Sequence, residues 1–524
     1  MYAMGEHEGF AAGDTMWALF ADRVRRTPDA FMFGDEHGRR FTCAQMQAWA
    51  ERVAAGFHGM GIDGRTVVSW QLPTRIETVI VSLALSRIGA VQNPIIHLYR
   101  DREVGALLRI VKANLFLVPG VWKGFDYGEM AAKLQAAAQS GAGSNGRPTF
   151  DIMLTDEGLP EGDPATLPPA PTDGDAVKWL YSTSGTTSEP KAVRHSDGAL
   201  IAAGTGIAKR LQPGPDDIAA LAYPYAHIGG PDHLVMAMRN GMASITVEQF
   251  TPAASFPLFA AYGVTMFGGG TAHYLALIND QAEHPDVLTL PQLRQFTGGG
   301  APKPPELFWR MLQQTGVRIR HGYGMTECPM IANGSKDDTD EQLANTDGAP
   351  VEGCEVLIVD EHEQPVDAGV DGDICVRGPM LFKGYLNEGA DAEAFRPDGF
   401  FRTGDRGHLR ADGHIVLTGR TKELIIRKGE NISPREIEDV LMSHRSVGAI
   451  AVIGLPDEAR GERVCAVIET APGAEPITFQ QMSQHCRDAG LMTQKIPEQL
   501  EVIDVLPRNP TMKILKRVLV EQFK

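Results

Sequence analysis

The stretch from Ser182 to Lys191 combines residue types that could hold phosphate groups. It reads STSGTTSEPK and directly follows an apolar run. Backbone N–H groups in a turn of small residues can converge on an anion, hydroxyls add adjustable donors, and a lysine adds a positive charge. The spacing differs from the G-x-x-x-x-G-K-S/T phosphate loop, because Lys191 follows Pro190 and precedes Ala192. A triphosphate fits this stretch, although a plain surface turn has a similar composition.

The length and composition of the chain indicate a globular protein with several units. A chain of 524 residues is expected to form about two to four domains or subdomains. Hydrophobic residues make up 43% and charged residues 22% of it, as in ordinary folded proteins. The net charge of -17 argues against broad binding to nucleic acid or to anionic membranes, because both need an excess of Lys and Arg.

The cysteines and the N-terminal sequence favour a cytoplasmic protein. The six cysteines are scattered without a close pair, so neither a zinc site nor a disulfide framework is indicated. The opening MYAMGEHEGF carries acidic residues and no basic-then-apolar run, so no secretory signal is predicted. Polar residues and Pro94 interrupt the most apolar stretch, residues 78–96. It is predicted to be a buried helix followed by a turn rather than a transmembrane segment.

The elements that must position the Ser182–Lys191 stretch alternate between strand and helix. Strands are predicted at 66–70 and 115–118 and a helix at 76–88, which indicates an α/β layer. Thr15 and the apolar spacing after it predict a capped helix near the start. Beyond about residue 345 the pattern changes to short strands joined by turns. These strands are predicted at 355–359, 373–376 and 413–417.

A new unit is predicted to begin near residues 419–422, after the last of these strands. Residues 433–436 (SPRE) form a capping-box pattern with proline at the first helical position. Ile437, Val440 and Leu441 then give helical apolar spacing. The remaining length suffices for a small α+β domain. Its further strands are predicted at 449–453 and 464–468.

Taken together, five motifs in one order resemble the adenylate-forming superfamily, which includes acyl-CoA synthetases, peptide-synthetase adenylation domains and luciferases. They are STSGTTSEPK at 182–191, GYGMTE at 322–327, FRTGD at 401–405, GRTKELIIRKGENISPREIE at 419–438 and LPRNPTMKILK at 506–516. The resemblance implies an α/β fold with a large N-terminal domain at residues 1–420, made of two α/β subdomains plus a small β subdomain. It also implies a smaller, mobile α+β C-terminal domain at residues 421–524.

The chemistry implied by the resemblance is activation of a carboxylic acid. A carboxylate is a poor electrophile, because it is anionic and would have to expel an oxide. Attack on the α-phosphate of ATP converts it into an acyl adenylate and releases pyrophosphate. Positioning and charge neutralisation supply most of such catalysis. The implied cofactors and co-substrates are ATP, Mg²⁺ and coenzyme A.

The resemblance assigns nucleotide-binding roles residue by residue. Thr186, Thr187 and Lys191 would hold the β and γ phosphates. Tyr323 offers a flat face for adenine, and Asp405 can accept hydrogen bonds from both ribose hydroxyls while Arg420 supplies a permanent cation. The full set of implied ATP and AMP contacts is Thr183, Ser184, Gly185, Thr186, Thr187, Lys191, Gly299, Gly300, Ala301, Pro302, Tyr323, Gly324, Asp405 and Arg420.

Three residues are the implied catalytic group. Lys513 would bridge the carboxylate and the α-phosphate as negative charge builds between them, and Thr326 would donate to the α-phosphate. Glu327 would also be the magnesium ligand, because this hard cation prefers carboxylate oxygen. Met512 departs from the glycine that usually precedes the lysine, which makes the local backbone less free.

The thioester-forming half of the reaction implies further residues in the C-terminal region. Lys422 matches a hinge position, about which the C-terminal domain would rotate between the two steps. The residues assigned to coenzyme A are Lys428, Gly429 and Glu430. A basic cluster of Arg427, Lys428 and Arg435 could meet the phosphates of coenzyme A, although a solvated charged face explains it equally well.

The acyl pocket is the least defined part of the sequence. The resemblance assigns it His227, Gly270 and Pro329, and a partly buried structural histidine is an equal interpretation of His227. Amino-acid-activating members generally carry an aspartate near this point for the substrate amino group. Its absence favours a plain carboxylic acid.

The sequence therefore predicts an ATP-dependent, AMP-forming acyl-CoA ligase. Two alternatives stay open: a ligase that loads a carrier protein, and a nucleotide- or acyl-CoA-binding homologue that has lost catalysis. The expected partners are a small-molecule carboxylic acid, ATP and coenzyme A, with no nucleic acid and no transmembrane segment. A homodimer is compatible with the sequence.

Overall fold

The computed structural model describes residues 14–140, 150–183, 191–428, 430–508 and 513–524. The α-helices are α1 (Met16–Arg26), α2 (Cys43–Gly59), α3 (Ile76–Ile88), α4 (Asp101–Val111), α5 (Tyr127–Ser140), α6 (Asp197–Leu211), α7 (Gly229–Asn240), α8 (Pro252–Tyr262), α9 (Thr271–Glu283), α10 (Pro305–Thr315), α11 (Asp340–Asn345), α12 (Asp391–Ala394), α13 (Pro434–Met442), α14 (Phe479–Asp488) and α15 (Lys516–Phe523). Short 3₁₀ turns occupy Thr155–Glu157, Pro164–Thr166, Glu388–Ala390, Thr421–Glu423 and Thr493–Lys495.

The strands divide between the two halves of the chain. The first group is β1 (Phe31–Asp35), β2 (Arg40–Thr42), β3 (Val67–Trp70), β4 (Val91–Pro94), β5 (Leu115–Val118), β6 (Val121–Trp122), β7 (Phe125–Asp126), β8 (Asp151–Leu154), β9 (Val177–Thr183), β10 (Lys191–Ser196), β11 (Ile218–Leu221), β12 (Ala243–Thr246), β13 (Met266–Gly269) and β14 (Gln295–Gly298). The second is β15 (Ile319–Met325), β16 (Cys328–Asn333), β17 (Ala349–Pro350), β18 (Glu355–Val359), β19 (Gly372–Arg377), β20 (Phe401–Leu409), β21 (Ile415–Arg420), β22 (Ile425–Arg427), β23 (Glu430–Ile432), β24 (Val447–Asp457), β25 (Gly461–Thr470) and β26 (Gln499–Ile503).

Two mainly parallel sheets form the large α/β part of the molecule. In the described residues one sheet has the order β10-β9-β4-β3-β5-β8, and the other has the order β17-β16-β15-β14-β13-β11-β12-β1-β2. The central strands of both are parallel, while the hairpins β9–β10 and β15–β16 are antiparallel. Parallel strands joined through helices bury both faces of a sheet, which explains the apolar runs in these strands.

Two smaller sheets follow. An antiparallel sheet of order β18-β19-β20-β21 ends at Arg420, and a second sheet of order β23-β22-β25-β24, with β26 on β25, begins five residues later. The α/β layer, the short antiparallel strands and the final α+β unit confirm the predicted fold class. The boundary at residues 420 and 421 stays a prediction.

Most elements predicted from apolar periodicity are present. Helix α3 has the predicted limits, and Thr15 caps α1 by accepting a hydrogen bond from the Ala18 N–H. The turn expected after α3 is short: Gly89 adopts a left-handed conformation, and β4 follows at once. The sequence missed β4 because its Gln92, Asn93 and Pro94 are polar or unfavourable for strands, yet all are buried.

The predicted capping box at the start of α13 is wrong. Helix α13 begins at Pro434, as expected, but the side chain of Ser433 makes no capping hydrogen bond. Its hydroxyl instead donates to the backbone carbonyl of Thr418. The hydrogen bond to Thr418 has therefore replaced the expected helix cap, and it connects the start of α13 to the end of β21.

Candidate active site

The hairpin β9–β10 carries the phosphate-type stretch. Thr183 and Lys191 face each other in its register, at the ends of the two strands. The predicted contacts Ser184, Gly185, Thr186 and Thr187 lie outside the described residues. The Nζ atom of Lys191 lies 4.7 Å from the centroid of the Tyr385 ring, within the range of a cation–π interaction.

The hairpin β15–β16 places Thr326 and Glu327 in its two-residue turn, because Met325 pairs with Cys328. The backbone carbonyl of Thr326 lies 2.6 Å from Nε2 of His195 in β10. Burial lowers the pKa of His195 to about 4, so the ring is neutral and donates from Nε2 to this carbonyl. His195 therefore fixes the Thr326–Glu327 turn against the strand that begins at Lys191.

Glu327 is a buried carboxylate with incomplete neutralisation. Its Oε1 accepts a hydrogen bond of 2.8 Å from the Tyr385 hydroxyl. Burial raises the pKa of Glu327, whereas Tyr385, Lys191 and Arg420 oppose that rise. A buried carboxylate whose charged form is disfavoured gains from a bound cation, and carboxylate oxygen suits Mg²⁺. The surroundings of Glu327 therefore fit a magnesium ion.

Three residues, which we name the Asp405 cluster, form the wall beside this turn: Tyr323, Asp405 and Arg420. The Tyr323 hydroxyl donates to Oδ2 of Asp405 at 2.7 Å, and Nε of Arg420 lies 3.0 Å from Oδ1. Asp405 and Arg420 are opposite each other in β20–β21. Burial lowers the pKa of Arg420, but the charge of Asp405 more than compensates, so its pKa is raised. Each carboxylate oxygen keeps a further lone pair for a ligand.

Lys513 reaches the Asp405 cluster from the far end of the chain. Burial, followed by the charge of Arg420, lowers the pKa of Lys513, while Glu423 and Asp405 oppose the shift. All three of these groups therefore lie within electrostatic range of its ammonium. Nearby, Nζ of Lys516 lies 2.8 Å from Glu438 and 3.5 Å from Glu423, which anchors the start of α15. Met512 lies outside the described residues.

The glycines of the TGGGAP segment do two different things. A Cβ on Gly299 would lie 2.5 Å from the carbonyl oxygen of Gly322, so close packing of the two backbones requires this glycine. Gly300 has φ +78° and faces open space, which leaves room for a ring beside it. Ala301 and Pro302 follow β14, and the Pro302 carbonyl accepts a hydrogen bond from Thr271. Gly324 precedes the Thr326–Glu327 turn.

The predicted basic cluster of Arg427, Lys428 and Arg435 does not form an exposed basic surface. Arg427 forms a 2.6 Å ion pair with Glu498. Arg435 is largely buried and contacts Asp347. Lys428 alone of the three predicted residues is exposed, and it has a left-handed φ of 52°. Glu430 begins β23 and is exposed, Lys422 lies in a 3₁₀ turn, and Gly429 lies outside the described residues.

Arg435 belongs to a buried group that joins the two predicted domains. We name Lys303, Asp347, Arg435 and Asp439 the Asp347 cluster. Nη2 of Arg435 lies 3.3 Å from both oxygens of Asp347, and Nζ of Lys303 donates to the Ala344 carbonyl at 2.6 Å. Burial lowers the pKa of Lys303 to about 8 and raises the pKa of Asp439 to about 6. Two of its four charges are thus disfavoured where they lie.

A small cleft opens beside Thr326. Its lining is Pro94, Ile96, Tyr99, Tyr181, Ser182, Ala226, His227, Ile228 and Thr326. Of the predicted acyl-pocket residues, His227 lies in this lining. Burial lowers its pKa to about 4, and Nδ1 accepts a hydrogen bond from the Gly229 N–H. Gly270 caps α9, and Pro329 lies in β16 with its carbonyl against Gly324. Neither belongs to the described lining of this cleft.

Sequence reasoning missed two residues that organise the site. Tyr385 contacts both Lys191 and Glu327, and His195 holds the Thr326 turn. Tyr385 lies in a loop after Gly384, where apolar periodicity gives no signal. His195 lies two residues after Val193 in β10 and has the alternating pattern of an ordinary buried strand residue.

The described fold has a large α/β part followed by a smaller C-terminal unit, and ionisable side chains gather around Glu327 and Asp405. Residues 20–386 match the family model "AMP-binding enzyme", and residues 436–513 match "AMP-binding enzyme C-terminal domain". Since the first match spans more than half of the chain, the protein belongs to the AMP-binding family of adenylate-forming enzymes. In the described residues no helix is long and apolar enough to cross a membrane.

Similarity to known proteins extends over nearly the whole chain. The chain is 30% identical over 541 residues to the salicyl-AMP ligase / salicyl-S-ArCP synthetase of Mycobacterium tuberculosis, covering 98% of this chain and 92% of that protein. It is 29% identical over 513 residues to the medium-chain fatty-acid–CoA ligase of Escherichia coli, covering 97% and 90%. ATP-bound MatB from Rhodopseudomonas palustris superposes with a TM-score of 0.84 at 26% identity, covering 97% of this chain and 99% of that one.

Proposed function

We propose that the protein is an ATP-dependent, AMP-forming acyl-CoA ligase. In the first step the acid attacks the α-phosphate of ATP, giving the acyl adenylate and pyrophosphate. In the second step the thiol of coenzyme A attacks the acyl carbon, giving the thioester, AMP and a proton. The observation that carries this proposal is the approach of Lys513 to the Asp405 cluster, because it brings a half-buried cation from the C-terminal region to the residues proposed to bind the nucleoside.

The proposed nucleoside contacts follow from the Asp405 cluster. Hydrogen bonds from both neighbours hold the Asp405 carboxylate in place, and its remaining lone pairs could accept the ribose hydroxyls. The ring of Tyr323 and the open space at Gly300 would flank adenine. Arg420 keeps its charge at every relevant pH and would contact the ribose or a phosphate.

The proposed phosphate contacts come from the β9–β10 stretch and from the Thr326–Glu327 turn. Lys191 would bind the departing pyrophosphate, together with the hydroxyls of Thr186 and Thr187. Glu327 would hold Mg²⁺, which when bound neutralises phosphate charge. Tyr385 orients the Glu327 carboxylate through its 2.8 Å hydrogen bond and packs against Lys191. Thr326 would donate to the α-phosphate from the turn that His195 holds.

Lys513 would stabilise the charge that develops as the carboxylate attacks. A cation already held in a low-dielectric site needs little reorganisation in the transition state, so its contribution is large. The burial that lowers its pKa also strengthens its interaction with an incoming anion. The carboxylate of the acid would enter from the cleft lined by His227 and Thr326.

The second step would need Lys513 to withdraw, because the thiol must approach the same acyl carbon. Rotation of residues 421–524 about Lys422 would achieve this and would present Lys428, Gly429 and Glu430 to coenzyme A. Support for a movable contact comes from the Asp347 cluster, which includes two groups with disfavoured charges.

The test is acid-dependent exchange of labelled pyrophosphate into ATP, followed by thioester formation. Purified protein with Mg²⁺ is screened against aromatic, alicyclic, short-chain and long-chain acids. We expect exchange with one class of acid and thioester formation once coenzyme A is added. If AMP binds and no acid supports exchange, the proposal fails and the protein is a nucleotide-binding homologue without this activity.

A second candidate is a ligase that transfers its acyl group to a carrier protein. The relative in Mycobacterium tuberculosis, named as a salicyl-AMP ligase and salicyl-S-ArCP synthetase, favours it. Competition between free coenzyme A and a phosphopantetheinyl carrier protein separates the two candidates. Thioester formation only on the carrier would replace the acyl-CoA ligase proposal, while formation only on coenzyme A would exclude the carrier.

A further inference from the structure

Buried polar groups without hydrogen bonds cluster at the cleft beside Thr326. The hydroxyl of Tyr181 and the hydroxyl of Ser182 are both buried and have no hydrogen-bond partner in the described part of the chain. Both residues line the cleft. Because nearly all buried polar atoms in folded proteins are hydrogen-bonded, such a pair needs an explanation. A ligand with its own polar group in the cleft would supply one.

Asp232 adds a third and more costly unpartnered group. The residue is only 4% exposed, and its Oδ1 is buried without a hydrogen-bond partner. It lies in the first turns of α7, four residues after Ile228, which has a helical conformation and lines the cleft. Residues four apart share one face of a helix, so Asp232 and Ile228 lie on the same side.

Tyr181 and Tyr223 are two of the side chains near Asp232. Burial raises the pKa of both Tyr181 and Tyr223, and the nearby charge of Asp232 raises it further. Burial likewise raises the pKa of Asp232 to about 8. At neutral pH its carboxyl group is therefore mostly protonated and can both donate and accept a hydrogen bond.

A purely structural role for Asp232 does not account for these observations. An acidic residue near the start of a helix is favourable when it is ionised. Burial in this position favours the neutral form instead. A hydrogen bond to the protein would also justify a buried carboxyl, but within the described residues Oδ1 has no such partner. What remains is a group kept at a stability cost, as is common for residues that bind substrate.

We propose that the acid activated by this protein carries a hydroxyl group on its acyl part, and that Asp232 determines specificity by hydrogen-bonding that hydroxyl. The inference rests on the proposed adenylation, since it concerns the acid bound in the same cleft. The carboxylate of the acid would point toward Thr326 and Lys513, and its hydroxyl toward α7. The hydroxyls of Tyr181 and Ser182 would complete the polar contacts.

A hydroxyl fits this position better than an amino group. An ammonium group would have to be buried together with an ionised Asp232, and both ions would lose their hydration. A neutral carboxyl and a neutral hydroxyl form a hydrogen bond without burying any charge. The sequence alone favoured a plain acid because no aspartate stands beside His227. Asp232 lies one helical turn further on, on the face of α7 that it shares with Ile228 of the cleft lining.

The experiment compares matched acids in pyrophosphate exchange. Each set contains a parent acid, its hydroxy analogue and its amino analogue, in an aromatic series based on benzoate and an aliphatic series based on octanoate, with the hydroxyl moved along each skeleton. We expect one hydroxy acid to exceed its parent in kcat/KM by at least about tenfold, the scale for leaving one buried polar group without a hydrogen bond.

Two variants assign the preference to Asp232. Asp232→Leu removes the polar group at similar size and should abolish the hydroxyl preference, while the melting temperature stays equal or rises because an unpartnered buried group has gone. Asp232→Asn keeps a donor and an acceptor and should retain most of the preference. Binding of AMP, measured by calorimetry, should be unchanged in both.

The outcomes separate this inference from the proposed function. Three results would overturn the role of Asp232 while leaving adenylation intact. The parent acids could react as fast as or faster than their hydroxy analogues, the amino-substituted analogue could be preferred, or the hydroxyl preference could be unchanged in Asp232→Leu. A marked fall in melting temperature in Asp232→Leu would make Asp232 structural. Exchange with no acid at all would overturn the adenylation proposal itself.

Discussion

The Asp405 cluster and the Asp347 cluster are both built around a buried aspartate, but they differ in how fully their charged groups are paired. In the Asp405 cluster short contacts satisfy both carboxylate oxygens, and the net effect on Arg420 is a raised pKa. In the Asp347 cluster Arg435 meets Asp347 at 3.3 Å, while burial works against the charges of Lys303 and Asp439.

The difference indicates which contact is fixed and which one can be exchanged. Every member of the Asp405 cluster belongs to the predicted N-terminal domain, so the site wall forms when that part folds. The Asp347 cluster joins residues from both predicted domains. A contact in which some charges are disfavoured costs less to break than one in which all are paired. This contrast supports a fixed nucleotide wall and a movable C-terminal unit.

Lys513→Ala gives the largest expected effect, because it removes the positive charge that the C-terminal region brings to the fixed wall. Pyrophosphate release should slow by at least about a hundredfold, the scale for losing one main charge stabiliser. Thioester formation from synthetic acyl adenylate should be largely unchanged. Arg517→Ala, an exposed neighbour, is the matched control. Equal losses in both half-reactions would contradict the division of labour between the two regions.

Asp405→Asn should be the next most damaging change. It neutralises the centre of the fixed wall and removes the carboxylate that forms the ion pair with Arg420. We expect kcat/KM for ATP to fall by about ten- to a hundredfold. Tyr323→Phe removes only one hydrogen bond and should cost a few-fold, on the order of 1 kcal/mol. Similar effects of both variants, measured in exchange assays, would mean that Asp405 does not act through its charge.

The interdomain pair is tested by Arg435→Met, Asp347→Asn and the double variant. Each single change should weaken adenylation by about tenfold, because it leaves one buried charge without its nearest opposite charge and loosens the contact of the C-terminal unit. The double variant should lose less than the sum of the two. Limited proteolysis near residues 421–432 should become faster in the single variants. Additive losses would show that Arg435 and Asp347 act independently.

The pH dependence of adenylation should report the environment of Lys513. Its lowered pKa means that the charged form, which the reaction needs, is lost as pH rises through a value below the ordinary lysine pKa. Glu423 opposes that shift, so Glu423→Gln should move the alkaline limb of the rate profile to lower pH. Glu521→Gln, which changes an exposed residue of α15, is the matched control. If the alkaline limb does not move in Glu423→Gln, Glu423 does not influence the pKa of Lys513.

Asp439→Asn should have the smallest effect of these variants, and unlike the others it should stabilise the folded protein at neutral pH. Burial raises the pKa of Asp439 to about 6, so its stabilising contribution exists at low pH and is lost as pH rises from about 4 through about 6. At pH 7.5 the variant should melt a few degrees higher than the wild type. The gain should vanish toward pH 4, as followed by thermal denaturation. A lower melting temperature at pH 7.5 would indicate that the charged carboxylate is stabilising.

Local sequence patterns predicted much of the fold. The limits of α3, the Thr15 cap of α1 and the proline start of α13 follow from apolar spacing and from which residues can satisfy a free helix end. These forces act between residues a few positions apart. They failed at Ser433, whose hydroxyl binds the distant Thr418 carbonyl, and at β4, whose polar residues are buried by neighbouring strands.

By itself, the sequence determined the class of protein: five motifs of fixed residue types and order predicted an adenylate-forming fold and its nucleotide chemistry. Only the tertiary structure decided which charges meet. It paired Arg427 and Arg435 with carboxylates instead of leaving a basic surface, and it placed Tyr385 and His195 around Glu327 and Thr326. It also buried Oδ1 of Asp232 without a hydrogen-bond partner in the part of the chain that the structure describes. The physical reason is that a side chain's charge state depends on neighbours brought close by folding, and these are far away in the sequence.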